Sequence, residues 1–125
     1  MQNKPNDNNN VKKRGDCAVL YPDGYINDIE GEKLEGVCDE LLQKGCRKFV
    51  IDFSNTDIIN SIGISIIIGV IQKVRDKNGA IFLSGLKKVN YDIFNIVGLT
   101  KQISVFKDEQ EALLWASGDN KGVLM

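Results

Sequence analysis

The sequence predicts a single α/β domain with a largely parallel central sheet covered by helices. Its 125 residues, 42% of them hydrophobic, suffice for one core and are too few for two ordinary domains. Strand-like and helix-like segments alternate in the order β-β-α-β-α-β-α-β-α with short connections, which favours parallel strands. The central strand, residues 49–53, shows no clean alternation of polar and apolar residues, as is typical of strands buried on both faces.

The first elements are two short strands and a helix. Residues 17–21 form an apolar run, residues 22–24 indicate a turn, and residues 25–26 resume the strand. Helical spacing of apolar residues predicts a helix over about 30–44, with Gly45 as its stop. The apolar positions of this helix are Ile29, Leu34, Val37, Cys38, Leu41 and Leu42.

A second, largely buried helix is predicted over residues 60–77. Asn60 and Ser61 are good N-cap residues, and residues 78–79 form a good helix exit. The segment is rich in β-branched residues, which are poor helix formers, so a strand is the alternative. Its length and both caps favour the helix.

The remaining elements follow the same alternation. They are a strand at 80–84, a helix at 89–97 closed by Gly98, a strand at 103–106, and a helix from Asp108 through Ala116. Asp108 and Glu111 resemble a capping box. The side chains expected to be most buried are Val50, Ile51, Ile66, Ile67, Val70, Ile81, Leu83, Ile93 and Val97.

Both ends of the chain are polar. We expect residues 1–15 to be a disordered tail, residues 16–117 to form the domain, and residues 118–125 to be a flexible tail. No segment resembles a signal peptide or is apolar over the roughly 20 residues that a membrane span needs. These features favour a cytoplasmic protein without membrane insertion.

Charge and composition exclude several classes of function. The formal net charge of −1 lacks the broad positive field that direct nucleic-acid binding uses. The absence of histidine removes Ser-His-Asp and Cys-His nucleophile pairs and the commonest zinc ligand. Cys17, Cys38 and Cys46 are odd in number and lack Cys-x-x-Cys spacing, so reduced thiols are expected, with Cys38 in the core.

The sequence offers little to support catalysis. It contains neither Gly-rich nucleotide fingerprint. Asp52 and Asp57 flank one loop, but caps or solvated charges are a commoner role for such residues than an acid–base pair. We therefore predict no catalytic residue, cofactor or metal site, and no enzymatic activity.

The most informative segment is residues 52–64, where a buried strand leads through a short loop into the second helix. The helix start presents free N–H groups and partial positive charge. The hydroxyl of Ser61 is there either a plain N-cap, the commoner case, or an acceptor for a phosphoryl group. Phosphorylation would add about −1.5 to −2 charges.

Several segments in register resemble STAS domains, the fold of bacterial anti-sigma factor antagonists. The resemblance covers about residues 17–116. The matching segments are the Gly-x-Leu-Asp motif (24–27), the central strand with its Asp-Leu-Ser exit (50–54), the Asp-Ser-x-Gly-Leu helix start (60–64), the Gly-led third strand (77–83) and the closing Gly-Leu, Val-Phe and Glu-Ala-Leu pattern (97–99, 105–106 and 111–113).

The resemblance implies a function. An unphosphorylated antagonist binds an anti-sigma factor, typically a serine kinase, and so frees a sigma factor. The kinase then phosphorylates a serine that matches Ser61, and the complex separates. The kinase supplies ATP and magnesium, so this chain would be a substrate and partner, either a monomer or a weak dimer. The implied partner-binding residues are Asn27, Asn60, Ser61, Ile62, Gly63 and Ile64.

Three positions depart from the family pattern. Asn60 and Asn27 replace family aspartates, which keeps their shape but removes two charges, and Ile62 replaces a usually small residue. Two alternatives therefore stay open. One is a STAS interaction module without phosphoregulation, either a signalling scaffold or a transporter accessory subunit. The other is a module that binds a small ligand or nucleotide.

Overall fold

The computed structural model describes residues 11–118. The strands are β1 (Val11–Arg14), β2 (Cys17–Leu20), β3 (Gly24–Ile26), β4 (Lys48–Asp52), β5 (Thr56–Ile59), β6 (Ala80–Ser84) and β7 (Val105–Phe106). The helices are α1 (Asp28–Gln43), α2 (Ser61–Asp76), α3 (Lys88–Ile96) and α4 (Glu109–Ser117), with a 3₁₀ turn at Leu99–Lys101. The predicted α/β class and the four predicted helices are confirmed.

The main sheet has five strands in the order β1-β2-β4-β6-β7. Only the β1–β2 pair is antiparallel, and the other three pairs are parallel. Helices α1, α2 and α3 contribute to the larger core on one face of this sheet, and α4 packs on the other. The sheet is therefore covered on both sides, as the lack of polar–apolar alternation in the central strand predicts.

Most of the predicted core is confirmed. Six of the nine expected side chains are buried: Val50, Ile51, Ile67, Val70, Ile81 and Leu83. Ile66 and Ile93 are half-buried. Val97 is 50% exposed, so that prediction is wrong. Val97 is the C-cap of α3, and Gly98 after it lies in the left-handed region. Because the chain turns there, Val97 does not continue the helix face that buries Phe94.

The first tail was predicted too long. Residues 11–14 form β1 and pair with β2, so the ordered domain begins before residue 16. This strand carries two lysines and an arginine, which hid it from a search for apolar runs, yet such charges are usual on an edge strand. Of the remaining tail residues, 1–10 and 119–125 lie outside the described residues. At the far edge, the strand predicted at 103–106 is reduced to Val105–Phe106.

A second, two-stranded sheet was not predicted. Residues 56–59, expected within a loop, form β5 and pair in parallel with β3. The turn at residues 22–24 therefore sends the chain out of the main sheet into this β3–β5 ribbon. Gly24 at the turn has φ 73°, in the left-handed region that favours glycine.

Candidate functional site

The starts of α1 and α2 meet beside the β3–β5 ribbon, and each is capped by an asparagine. The side-chain oxygen of Asn27 accepts a hydrogen bond from the Glu30 amide at 3.0 Å. That of Asn60 accepts one from the Gly63 amide at 2.7 Å. The backbone N–H of Asn60 donates to the Ile26 carbonyl at 3.0 Å, and this backbone bond joins the two helix starts. The structure thus brings together the two segments that the sequence singled out.

Ser61 is the first residue of α2, and it is exposed. The cap is supplied by Asn60, and the Ser61 hydroxyl makes no hydrogen bond to any residue between 11 and 118. The first turn of α2 carries no acidic residue, whereas the first turns of α1 and α4 each carry two. Of the two roles that the sequence leaves open for this hydroxyl, the N-cap is filled by Asn60 instead. The hydroxyl lies at a helix end whose partial positive charge is not matched by a carboxylate in the first turn.

Two predicted contact residues point inward instead. Gly63 and Ile64 are buried, so neither belongs to the exposed surface. A Cβ atom on Gly63 would lie 2.5 Å from the Ile26 carbonyl oxygen, which is closer than any side chain permits. Their role is to hold the start of α2 against the ribbon, because successive helix positions point about 100° apart and only Ile62 faces outward.

Five large apolar side chains are exposed where these elements begin, two in the ribbon and one at the second position of each of α1, α2 and α3. They lie on β3, β5 and the first turns of three helices, and their exposed fractions run from 42% to 60%: Tyr25, Ile29, Ile58, Ile62 and Val89. We call this set the helix-start face. Tyr25 and Ile58 are register partners in the ribbon, and the Tyr25 hydroxyl accepts a hydrogen bond from the Asn60 side-chain nitrogen at 3.3 Å.

Helix α3 is tied to the same end through Asn90, which is fully buried. Its side-chain oxygen accepts from the Ile59 amide at 3.3 Å, and its nitrogen donates to the Asp57 carbonyl at 3.2 Å. These two bonds place Val89, its neighbour in sequence, beside β5.

Sequence reasoning found Ile62 but missed the other four members of the helix-start face. It counted Ile29 among the apolar helix positions, yet Ile29 is 60% exposed. The missing signal was the pairing of β5 with β3, which makes Ile58 the register partner of exposed Tyr25, while Ile59 is buried.

Asp52 and Asp57 have quite different surroundings. Asp52 is buried and accepts hydrogen bonds from the Ser84 hydroxyl at 2.7 Å, from the Ser54 amide at 3.0 Å and from the Ser54 hydroxyl. Asp57 is exposed and pairs with Lys87 at 3.1 Å. Asp52 therefore ties together the ends of β4 and β6, and Asp57 is a solvated partner of a lysine.

The thiols lie in the core. Cys17, Cys38 and Cys46 are free and buried. Burial raises the pKa of Cys38 to about 12, so this thiol stays protonated at neutral pH. Among residues 11–118, no group of three His, Cys, Asp or Glu side chains is placed to hold a metal ion. The helices within this range all fall short of the length and hydrophobicity of a transmembrane segment.

Comparison with known proteins places this geometry in a family. The STAS domain family model matches residues 8–112. The chain is 28% identical over 89 residues to a Bordetella bronchiseptica protein described as "Putative anti-sigma factor antagonist BtrV", covering 71% of this chain and 77% of that one.

Solved structures share the fold. A Thermotoga maritima crystal structure described in the same terms superposes with a TM-score of 0.80 at 17% identity, over 86% of this chain and 92% of that one. The anti-sigma factor antagonist SpoIIAA in its unphosphorylated form gives a TM-score of 0.75 at 15% identity, over 86% and 95%. With the family model matching from residue 8 to residue 112, the chain belongs to the STAS domain family.

Proposed function

We propose that this STAS domain is a cytoplasmic anti-sigma factor antagonist controlled by phosphorylation of Ser61. It binds a serine-kinase-type anti-sigma factor through the helix-start face and so frees a sigma factor for transcription. The observation that carries the proposal is the exposed Ser61 hydroxyl, which is not needed as a cap and stands directly beside exposed Ile62. The descriptions of BtrV and SpoIIAA support antagonism, and that of SpoIIAA as unphosphorylated supports the switch.

The helix-start face is suited to bind another protein. Scattered apolar side chains on a surface are ordinary, but five on elements that meet at one end indicate an interaction site. Asn27, Asn60 and Asn90 fix the elements beneath it by hydrogen bonds, so little ordering is left to occur on binding.

Phosphorylation at Ser61 would act on the complex more than on the fold. The start of α2 favours negative charge, since its dipole is positive there and its first turn has no carboxylate. A partner packed on Ile62 would bury the phosphate away from water, and a buried unpaired charge costs several kcal/mol. The phosphorylated chain should therefore stay folded and release its partner.

In this proposal the chain is a substrate and partner and has no enzymatic activity of its own. The kinase supplies ATP and magnesium, and the chain needs no cofactor and contacts no nucleic acid directly. Turnover by the purified chain alone, lost on Asp52→Asn or Asp57→Asn, would contradict this part.

The decisive experiment mixes the purified chain with the serine-kinase-type anti-sigma factor from the same genome. Native mass spectrometry follows the complex, and fragmentation after addition of ATP and magnesium locates the phosphate. We expect a complex without ATP, one phosphate on Ser61 and none on Ser65, and loss of the complex as phosphate accumulates. Ser61→Ala should form the complex and remain unmodified.

The other outcomes separate the alternatives. A complex that persists without modification would support a STAS module that lacks phosphoregulation. If Asn60→Asp then restores phosphate transfer, the missing carboxylate at position 60 explains the loss. Failure to form any complex would reject antagonism.

A further inference from the structure

Three acidic residues lie close in the chain to Tyr25 or Ile29 of the helix-start face, and we call them its acidic border. Asp23 precedes β3, Asp28 opens α1, and Glu32 lies one turn further along that helix. All three are exposed, and none forms an ion pair with another residue of the described range 11–118.

The lysines at this end of the domain are already matched to other carboxylates. Lys33 pairs with Glu30 at 3.4 Å. Lys87 and Lys88 pair with Asp57 at 3.1 Å and with Asp92 at 2.9 Å. The three paired and three unpaired carboxylates together outnumber these lysines by six to three. This end of the domain therefore has an excess of three negative charges, whereas the whole chain has a formal net charge of −1.

Helix stability explains only part of this excess. Asp28 lies in the first turn of α1, where a carboxylate stabilises the helix dipole. Glu32 lies beyond the first turn, and Asp23 precedes β3, so neither has that role. Their negative charge is therefore available to a partner.

We propose that the partner meets this face with an apolar centre bordered on one side by lysine or arginine. The centre would pack on Ile29, Ile58 and Ile62, and the basic side chains would lie against Asp23, Asp28 and Glu32. This inference rests on the proposed function and specifies the surface of the anti-sigma factor that the chain recognises.

The position of each charge determines which rate constant it controls. Charges at the border stay partly solvated, so they attract the partner at a distance and act mainly on the association rate constant. A charge at Ser61, in the apolar centre, must lose its water, so it acts mainly on the dissociation rate constant. Border and centre can therefore be separated by kinetics.

The test measures both rate constants for the same serine-kinase-type anti-sigma factor at 50 mM and 500 mM salt. Glu32→Lys should slow association about three- to tenfold at low salt, and Asp23→Lys/Glu32→Lys about tenfold or more, with dissociation nearly unchanged. The difference should shrink at high salt. The matched control is Asp76→Lys, the same charge change on an exposed residue at the far end of α2, about 22 Å from Ser61. It should change association less than twofold.

Two results would overturn the inference, and they differ. If Ile62→Asp abolishes binding while Asp23→Lys/Glu32→Lys associates as fast as wild type, the basic border is wrong and the proposed function stands. If the wild-type chain does not bind the anti-sigma factor, the proposed function fails and the inference fails with it. Unfolding curves for every variant verify that each is folded.

Discussion

The central sheet and the helix-start face use the same kinds of residue for opposite purposes. Ile and Val in β2, β4 and β6 are almost completely buried, because helices cover both faces of the main sheet. On the helix-start face, isoleucine and valine are among the side chains 42% to 60% exposed. Residue type alone therefore does not distinguish an apolar side chain that stabilises the core from one that is exposed for partner binding. The difference is whether a helix packs over it.

Helix α2 joins the two regions and allows them to be compared within one element. Its inner positions Ile67, Val70 and Val74 are fully buried against the sheet. Its first turn presents Ser61 and Ile62 to solvent. Substitutions at the inner positions of α2 should therefore strongly lower the stability, and substitutions of exposed residues in its first turn should affect only partner binding.

The largest expected effect is in the core. Ile67→Ala should lower the free energy of unfolding by about 2–5 kcal/mol, because it leaves a cavity at a fully buried position. Ile62→Ala, one and a half turns earlier, should change it by less than about 0.5 kcal/mol while weakening partner binding. Urea denaturation measures both. Equal losses would show that Ile62 is not the exposed residue described here.

The next effect tests the close contact beneath the face. Gly63→Ala should cost about 1–3 kcal/mol, since its Cβ would meet the Ile26 carbonyl oxygen at 2.5 Å and backbone must shift. Gly69→Ala in the same helix meets nothing within 4 Å and should stabilise the domain by about 0.5–1 kcal/mol through helix propensity. Thermal unfolding of the two variants should therefore shift in opposite directions.

A smaller effect assigns the cap. Asn60→Ala should cost about 1 kcal/mol, because the Gly63 amide loses its acceptor. Ser61→Ala should change the stability by less than about 0.5 kcal/mol, because Ser61 caps nothing. The reverse order in urea titrations would make Ser61 the cap and remove the free hydroxyl from the site.

An effect of similar size appears in alkaline solution and belongs to the core. The folded-state pKa of Cys38, about 12, lies above the unfolded value near 9, so folding favours the thiol over the thiolate. That contribution is complete below pH 9 and disappears as pH rises through 12, a loss of about 1 kcal/mol by pH 10. Hydrogen bonds to Asp39 and Glu35 raise the pKa of Lys73, so its contribution to stability is likewise lost as the pH rises. Urea midpoints between pH 8 and 10.5 should fall, and should fall less for Cys38→Ala.

The sequence predicts the buried region better than the exposed one, for physical reasons. The apolar runs at residues 49–51 and 66–71 coincide with side chains that are buried or half-buried. Strand β5 is half exposed, and Thr56 and Ile59 are buried while Asp57 and Ile58 are not, so it has no clear alternation. Its strand character comes from pairing with β3, thirty residues away in the chain, which local pattern does not reveal.

The sequence singled out the two segments that form the candidate site, but not the roles of the residues within them. Asn60 and Ser61 are both cap-type residues, and only the hydrogen bond to the Gly63 amide assigns the cap to Asn60. The inward orientation of Gly63 and Ile64 likewise depends on the phase of α2 against the ribbon. Both are tertiary properties that follow from packing between distant segments.

The most direct test of the proposed switch is a binding titration of the anti-sigma factor with wild type, Ser61→Ala and Ser61→Asp. All three should unfold at nearly the same urea concentration, because position 61 is exposed and carries no cap. Ser61→Ala should bind within about twofold of wild type, and Ser61→Asp at least about tenfold more weakly, since the added carboxylate must be desolvated on binding. Three equal affinities would contradict a switch at Ser61.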